Sequence, residues 1–182
     1  MRLILINTCQ KKVEIQLLVD LTKELNLSNL TWKINFGGYM AAIYNGLKFN
    51  TELEAIWASF FDLAGWKWWY NPIEIDNWKP DFKVTFPCRH SECDGSHTLM
   101  VSVVPTLNIE NWLSHPSLSC PWIVKDKNER WVADGGAFLG MSPLVSKWDI
   151  AHGSGGGIED IFDRVSNAEE LWGKAVASVI SY

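Results

Sequence analysis

The chain has 182 residues, 47% of them hydrophobic and 20% charged, a balance that suits one ordinary domain and excludes disordered, collagen-like and low-complexity proteins. No apolar run approaches the ~20 residues that a membrane-spanning helix needs. The net charge of −5 argues against broad electrostatic capture of nucleic acid, although it leaves room for a local basic groove. Tryptophan is unusually frequent, at 11 residues.

Leu3 to Ile6 reads as a short buried strand. Val13, Leu17, Leu18, Leu21 and Leu25 recur at helical spacing, which predicts a helix over 11–26. Residues 1–30 are therefore expected as a βα extension packed on a main domain of residues 31–182. The opening Met1 to Asn7 has one cation and too few apolar residues for a secretory signal. The four cysteines are then expected as reduced thiols or metal ligands in the cytoplasm, not as disulfides. Thr31–Phe36 and Met40–Phe49 are β-like, the second broken by the hairpin dipeptide Asn45-Gly46.

The clearest helix spans about 52–64, with Leu53, Ile56, Trp57, Phe60, Phe61 and Ala64 on one stripe. Thr51 and Glu54 have capping-box spacing, and Gly65 supplies the stop. Strands are predicted within 67–76, over 81–86 and over 98–104, then at 121–125 and 130–133. Residues 108–115 form a weak helix candidate stopped by Pro116. The apolar residues from Ile158 to Val179 predict one broken helix or two short ones, with Ser166 and Glu169 as a second capping box. The order, a helix before a run of strands, implies a mixed α/β (α+β) domain.

The segment from Tyr44 to Pro72 and on to Phe82 resembles a phage and prophage subgroup of the PD-(D/E)xK nuclease-like superfamily. The resemblance rests on Leu53, Glu54, Ala55, Trp57, Ala58, Phe60, Phe61, Asp62, Gly65, Tyr70, Pro72, Pro80, Asp81 and Phe82. It covers roughly residues 44–105. It implies a restriction-endonuclease-like core, a mixed central sheet flanked by helices. It also implies metal-dependent phosphodiester cleavage, in which Mg²⁺ neutralises developing charge and activates water.

In that reading Asp81 is the strand-start carboxylate and Glu54 the helix carboxylate. The neighbouring strand should carry Glu-x-Lys, with both side chains on one face. It reads Ser102-Val103-Val104, so Ser102 stands at the glutamate and Val104 at the lysine. Ile56 stands where the helix arginine is usual. The resemblance therefore implies a degenerate site whose Glu54 and Asp81 are vestigial. Such a protein would act by binding, with a protein partner favoured (a host defence component is one case) and nucleic acid as the other target. Two alternatives stand beside it: an active Mg²⁺-dependent DNA endonuclease with migrated carboxylates, from Glu74, Asp76, Glu92 or Asp94, or a structural phage component. Glu54 also has a plain reading as the third helical residue of a capping box. Asp81 has one as the start of a strand.

Cys88, His90, Cys93 and His97 place four zinc-type ligands within ten residues, though not in a common zinc spacing. A structural zinc there would pin an insertion at 87–98; the bland alternative is a metal-free surface loop. Trp68, Trp69 and Trp78 are candidates for stacking or interface contacts, against a background expectation of core packing. Trp57 is expected in the core. Gly153 to Gly157 is expected as a flexible connection, since Glu159 and Asp160 would repel a phosphate. His115 and His152 show no partner in the sequence, and neither does the oligomeric state.

Overall fold

In a computed structural model of the chain the described residues are 41–75 and 78–181. The expected extension at residues 1–30, the strand at 31–36 and Asp76 lie outside them. Described elements begin with a small hairpin, β1 (Ala42–Tyr44) and β2 (Leu47–Phe49), whose register is Ala42 to Phe49 and Tyr44 to Leu47. Asn45 and Gly46 make its turn with φ of 49° and 78°, the left-handed pair that matches the twist of a two-residue hairpin.

Helix α1 (Glu52–Leu63) starts at a full capping box: the Thr51 side chain accepts from Glu54 N, and the Glu54 side chain accepts from the Thr51 backbone. It ends where Gly65 turns with φ of 72°. Every position from Leu53 to Phe61 is buried, so the helix is more enclosed than its single predicted stripe required. A six-stranded sheet follows, in the order β10-β9-β8-β5-β4-β3. Its strands are β3 (Lys67–Tyr70), β4 (Phe82–Pro87), β5 (Ser96–Val103), β8 (Gly135–Leu139), β9 (Ser146–His152) and β10 (Gly155–Glu159). Strands β3, β4 and β5 form an antiparallel meander, and β8 lies parallel to β5 with Leu99 opposite Gly135. The fold is thus α+β with a mixed sheet. Short β6 (Val124–Lys125) and β7 (Trp131–Ala133) make a separate pair, and β11 (Ile180–Ser181) adds to β1.

One face of the sheet carries Phe82, Val84, Phe86, Leu99, Val101, Trp148 and Ile150 into a core shared with α1 and with α2 (Ala168–Ser178). The two helices touch through Trp57 and Trp172, whose rings are 4.6 Å apart. The Trp57 indole donates to the Gly140 carbonyl at 2.9 Å, so its one polar atom is paired despite full burial. The opposite face of β5 turns Met100 into a smaller cluster with Ile75, Trp78, Val124 and Ala133.

Several elements differ from the sequence reading for local reasons. Residues 108–119 make two single-turn 3₁₀ helices, Ile109–Trp112 and Pro116–Ser119. The second lies so close to β8 that a Cβ on Gly136 would strike the Ser117 carbonyl. The Gly135-Gly136 step, just past the strand expected at 130–133, opens a central strand, glycine being required at 136 by the approach of another backbone. The glycines at 155–157 are likewise strand residues, paired with His152 to Ile150. Ile161–Asp163 is 3₁₀, capped by Asp160, and α2 starts after Asn167 without a side-chain cap, so Ser166 and Glu169 form no capping box.

Candidate functional site

Two clusters of chemistry-bearing side chains stand at opposite ends of β4. Asp81 immediately precedes this strand and Cys88 immediately follows it, a separation of roughly 20 Å at the rise of an extended strand.

At the first end, Asp81 is held by the adjacent strand: Val103 N donates to its Oδ2 at 2.8 Å. Burial raises the Asp81 pKa, the Val103 hydrogen bond opposes that rise, the charge of Glu54 adds to it, and the carboxyl titrates at about 6. Glu54, on the first turn of α1, is only 6% exposed. Its Oε2 accepts from Asn50 N at 3.1 Å and from the Tyr70 hydroxyl at 2.5 Å. Burial first, then the Glu54 hydrogen bond, drives the Tyr70 hydroxyl well above the usual phenol range. Glu54 is therefore the capping-box residue of α1, and its charge reaches Asp81.

Ser102 does not face that pair in the same manner. It is buried, and its Oγ accepts from the Trp78 indole at 2.8 Å. Trp78 belongs to the Met100 cluster on the sheet face away from α1, whereas Val101 and Val103 pack on the α1 side. Val104 is half-buried, and its backbone N donates to the Leu139 carbonyl at 2.8 Å. Ile56 is buried in the main core. Of the carboxylates considered as migrated ligands, Glu92 and Asp94 lie in the loop at the other end of β4. Glu74 lines a cleft of about 420 Å³ with Ile73, Asp126, Lys127, Asn128 and Arg130.

The three tryptophans considered for binding have different environments. Trp69 is 53% exposed, with the Lys83 ammonium 6.0 Å from its ring centre. Trp68 is half-buried and donates to Asp62 at 2.8 Å. Trp78 is buried and engaged by Ser102, so it offers no free stacking face.

At the second end, the ligand atoms of Cys88, His90, Cys93 and His152 all lie within 4.8 Å of one another. Cys88 Sγ is 3.2 Å from His90 Nδ1 and 3.6 Å from His152 Nδ1. His152 Nδ1 is 3.0 Å from His90 Nδ1 and 3.5 Å from Cys93 Sγ. Tetrahedral zinc, with bonds of about 2.3 Å to sulfur and 2.0–2.1 Å to nitrogen, sets ligand–ligand edges of roughly 3.3–3.8 Å. The group is thus already spaced to hold a metal. Loop 88–95, between β4 and β5, supplies three donors, and the end of β9 supplies the fourth.

His97 stands beside this group. Its Nε2 is 3.0 Å from His152 Nδ1, while its Nδ1 faces Asp134 Oδ2 at 3.4 Å. Burial pushes the His97 imidazole below its usual pKa, against the pull of Asp134. The far nitrogen of His152, Nε2, lies 2.7 Å from Glu159 Oε1. Glu159 also accepts from Trp148 Nε1 at 3.0 Å and from Arg164 Nε at 2.8 Å. Burial works to raise Glu159, but hydrogen bonds from Arg164, His152 and Trp148 outweigh it and keep the carboxylate below its usual range. Arg164 Nη2 lies 2.7 Å from His152 Nε2 and also donates to the Glu159 oxygen that this ring nitrogen faces. His152 Nδ1 faces Cys88, His90 and Cys93, so it is the ring nitrogen that would bond a metal there.

His152 could not be found from local spacing, because it lies 59 residues beyond Cys93. No helix among the described residues is long and apolar enough to cross a membrane. Comparison of the chain with protein-family models, with curated proteins and with solved structures gives no match.

Proposed function

We propose that this chain is a PD-(D/E)xK nuclease-like protein of phage or prophage origin that lacks metal-dependent cleavage and acts by binding, in the cytoplasm of a bacterial host. Position 102 carries the reading. A hard-cation site needs several converging oxygen ligands. Asp81 and Glu54 are brought together, but the neighbouring strand offers a buried serine whose hydroxyl is already engaged by Trp78. The apolar Val104 adds no cation to hold a phosphate. A restriction-endonuclease-like core is supported by α1 followed by the β3-β4-β5 meander, with Asp81 at the start of the middle strand. The acidic balance of −5 and exposed aromatic residues such as Trp69, Trp122 and Trp131 favour a protein target over a phosphate backbone. A host defence component is the kind of partner such a protein would meet.

The test is incubation with plasmid and linear DNA under Mg²⁺ and under Mn²⁺. No cleavage is expected; cleavage that Asp81→Ala abolishes would overturn the reading. Affinity capture from nuclease-treated bacterial lysate then separates the targets, a stoichiometric protein being the expected product. Recovery that depends on intact nucleic acid would count against a protein partner.

The Cys88/His90/Cys93/His152 group is read as a zinc site, because thiolate and imidazole donors suit Zn²⁺ and not Mg²⁺ or Ca²⁺. Four protein ligands leave no open position, so the ion is structural. Its place at the far end of β4 separates it from Asp81. Metal analysis of the purified chain should give one zinc per molecule.

A further inference from the structure

We infer that the metal is a lock between two hairpin turns, with His152 as its fourth ligand and Glu159 as the residue that positions it. This rests on the zinc reading above. Cys88, His90 and Cys93 belong to the turn between β4 and β5, whereas His152 ends β9 and leads into the turn at Gly153. In the sheet, β8 lies between the β4–β5 and β9–β10 hairpins, so the ligands reach across the end of one intervening strand. The two turns also meet away from the donor atoms, Ser154 N donating to Glu92 Oε2 at 3.1 Å. At Gly153 a Cβ would collide with the Glu92 side chain, so the approach requires glycine.

The two sides of the lock are built differently. His152 is preset: Glu159 fixes its ring, and Trp148 and Arg164 fix Glu159. His90 and the residues around it are largely exposed, so the loop side depends on the ion for its order. His97 falls outside the group whose donor atoms are mutually within 4.8 Å. It packs against the Phe86 ring, with centres 6.0 Å apart, and is engaged by Asp134. Its Nε2 reaches His152 Nδ1 at 3.0 Å, and in this proposal it supports that ring without ligating.

Zinc content and competition with a chromogenic chelator are measured for the unaltered chain, His152→Ala, His97→Ala and Glu159→Gln. His152→Ala is expected to weaken zinc binding at least about 100-fold, and Glu159→Gln about 10- to 100-fold. His97→Ala should keep one equivalent at near-unaltered affinity. Hydrogen exchange on the unaltered chain, before and after chelation, reads the lock without any substitution. Amides of the 88–95 loop and of the 152–159 segment should lose protection together. A zinc-loaded chain whose His152→Ala variant binds as tightly overturns the inference, as does chelation that opens the loop and leaves 152–159 protected. A chain that takes up no zinc overturns the zinc reading itself, a separate outcome.

Discussion

The two ends of β4 hold titratable side chains in opposite ways. At the Cys88 end, soft donors from two turns converge at spacings an ion would complete, and the imidazole that joins them faces a carboxylate held by Trp148 and by both arms of the Arg164 guanidinium. At the Asp81 end, two carboxylates are drawn together, one of them titrating near 6, while the adjacent strand presents a serine engaged by an indole. Convergence alone does not make a metal site. Donor number, donor softness and the groups behind the donors decide it.

The comparison can be broken most forcefully at the Cys88 end. Replacing Cys88 and Cys93 together by serine should abolish zinc binding and lower the melting temperature by roughly 10 °C, as loss of a structural ion requires; calorimetry with and without zinc checks this. The same chelator should leave the Asp81 end unchanged.

A smaller but sharper effect is expected from Ser102→Glu with Val104→Lys. A carboxylate at 102 enters a buried site beside Trp78, which should cost about 2–4 kcal/mol in urea denaturation. Adding Trp78→Ala should return part of that loss by making room. DNA cleavage by either variant would show that the missing side chains were the sole barrier to catalysis.

Asp81→Asn tests the like-charge pair. Because the folded-state pKa is raised from 3.8 to about 6, the native chain holds this proton more tightly than the unfolded one. Stability is fully present below about pH 4, falls as pH rises through 6 and stays lower above it. The amide should therefore stabilise the chain by about 2 kcal/mol at pH 7.5, at about 1.4 kcal/mol per pKa unit with allowance for partial exposure. It should also flatten the profile between pH 4 and 6. Millimolar Mg²⁺ that stabilised the unaltered chain and not Asp81→Asn would instead reveal a cation site. Tyr70→Phe, which removes the 2.5 Å hydrogen bond to Glu54, should cost only about 1 kcal/mol.

The parts visible in the sequence are those fixed by neighbouring residues. Thr51, Glu54 and the aromatic stripe specify α1, and Asn45-Gly46 specifies the first hairpin, because caps and turns act over a few residues. Three of the four cluster donors are legible for the same reason, whereas Asp81 and Glu54 stand as a site pair on the resemblance alone. What was hidden depends on distant chain. Gly135 and Gly136 lie in a central strand where close neighbours leave no room for a side chain, Ser117 against Gly136 and the Asp149 carbonyl against Gly135. The pairing of Ser102 with Trp78 crosses 24 residues. His152 had no visible partner because its neighbours come from another hairpin and from Glu159. The flanking alternation of Ser146, Trp148 and Ile150, all buried, was the one local sign that a strand led to it.

For the proposed zinc site, the split of its four donors between two turns also sets an order of events during synthesis. Cys88, His90 and Cys93 leave the ribosome 59 residues ahead of His152, counted from Cys93. At about 5–20 residues per second the interval is roughly 3–12 s. Through it the nascent chain carries a three-donor half-site with a vacant corner. Closure of the proposed site would then coincide with delivery of β9, and zinc uptake would report that this strand has arrived.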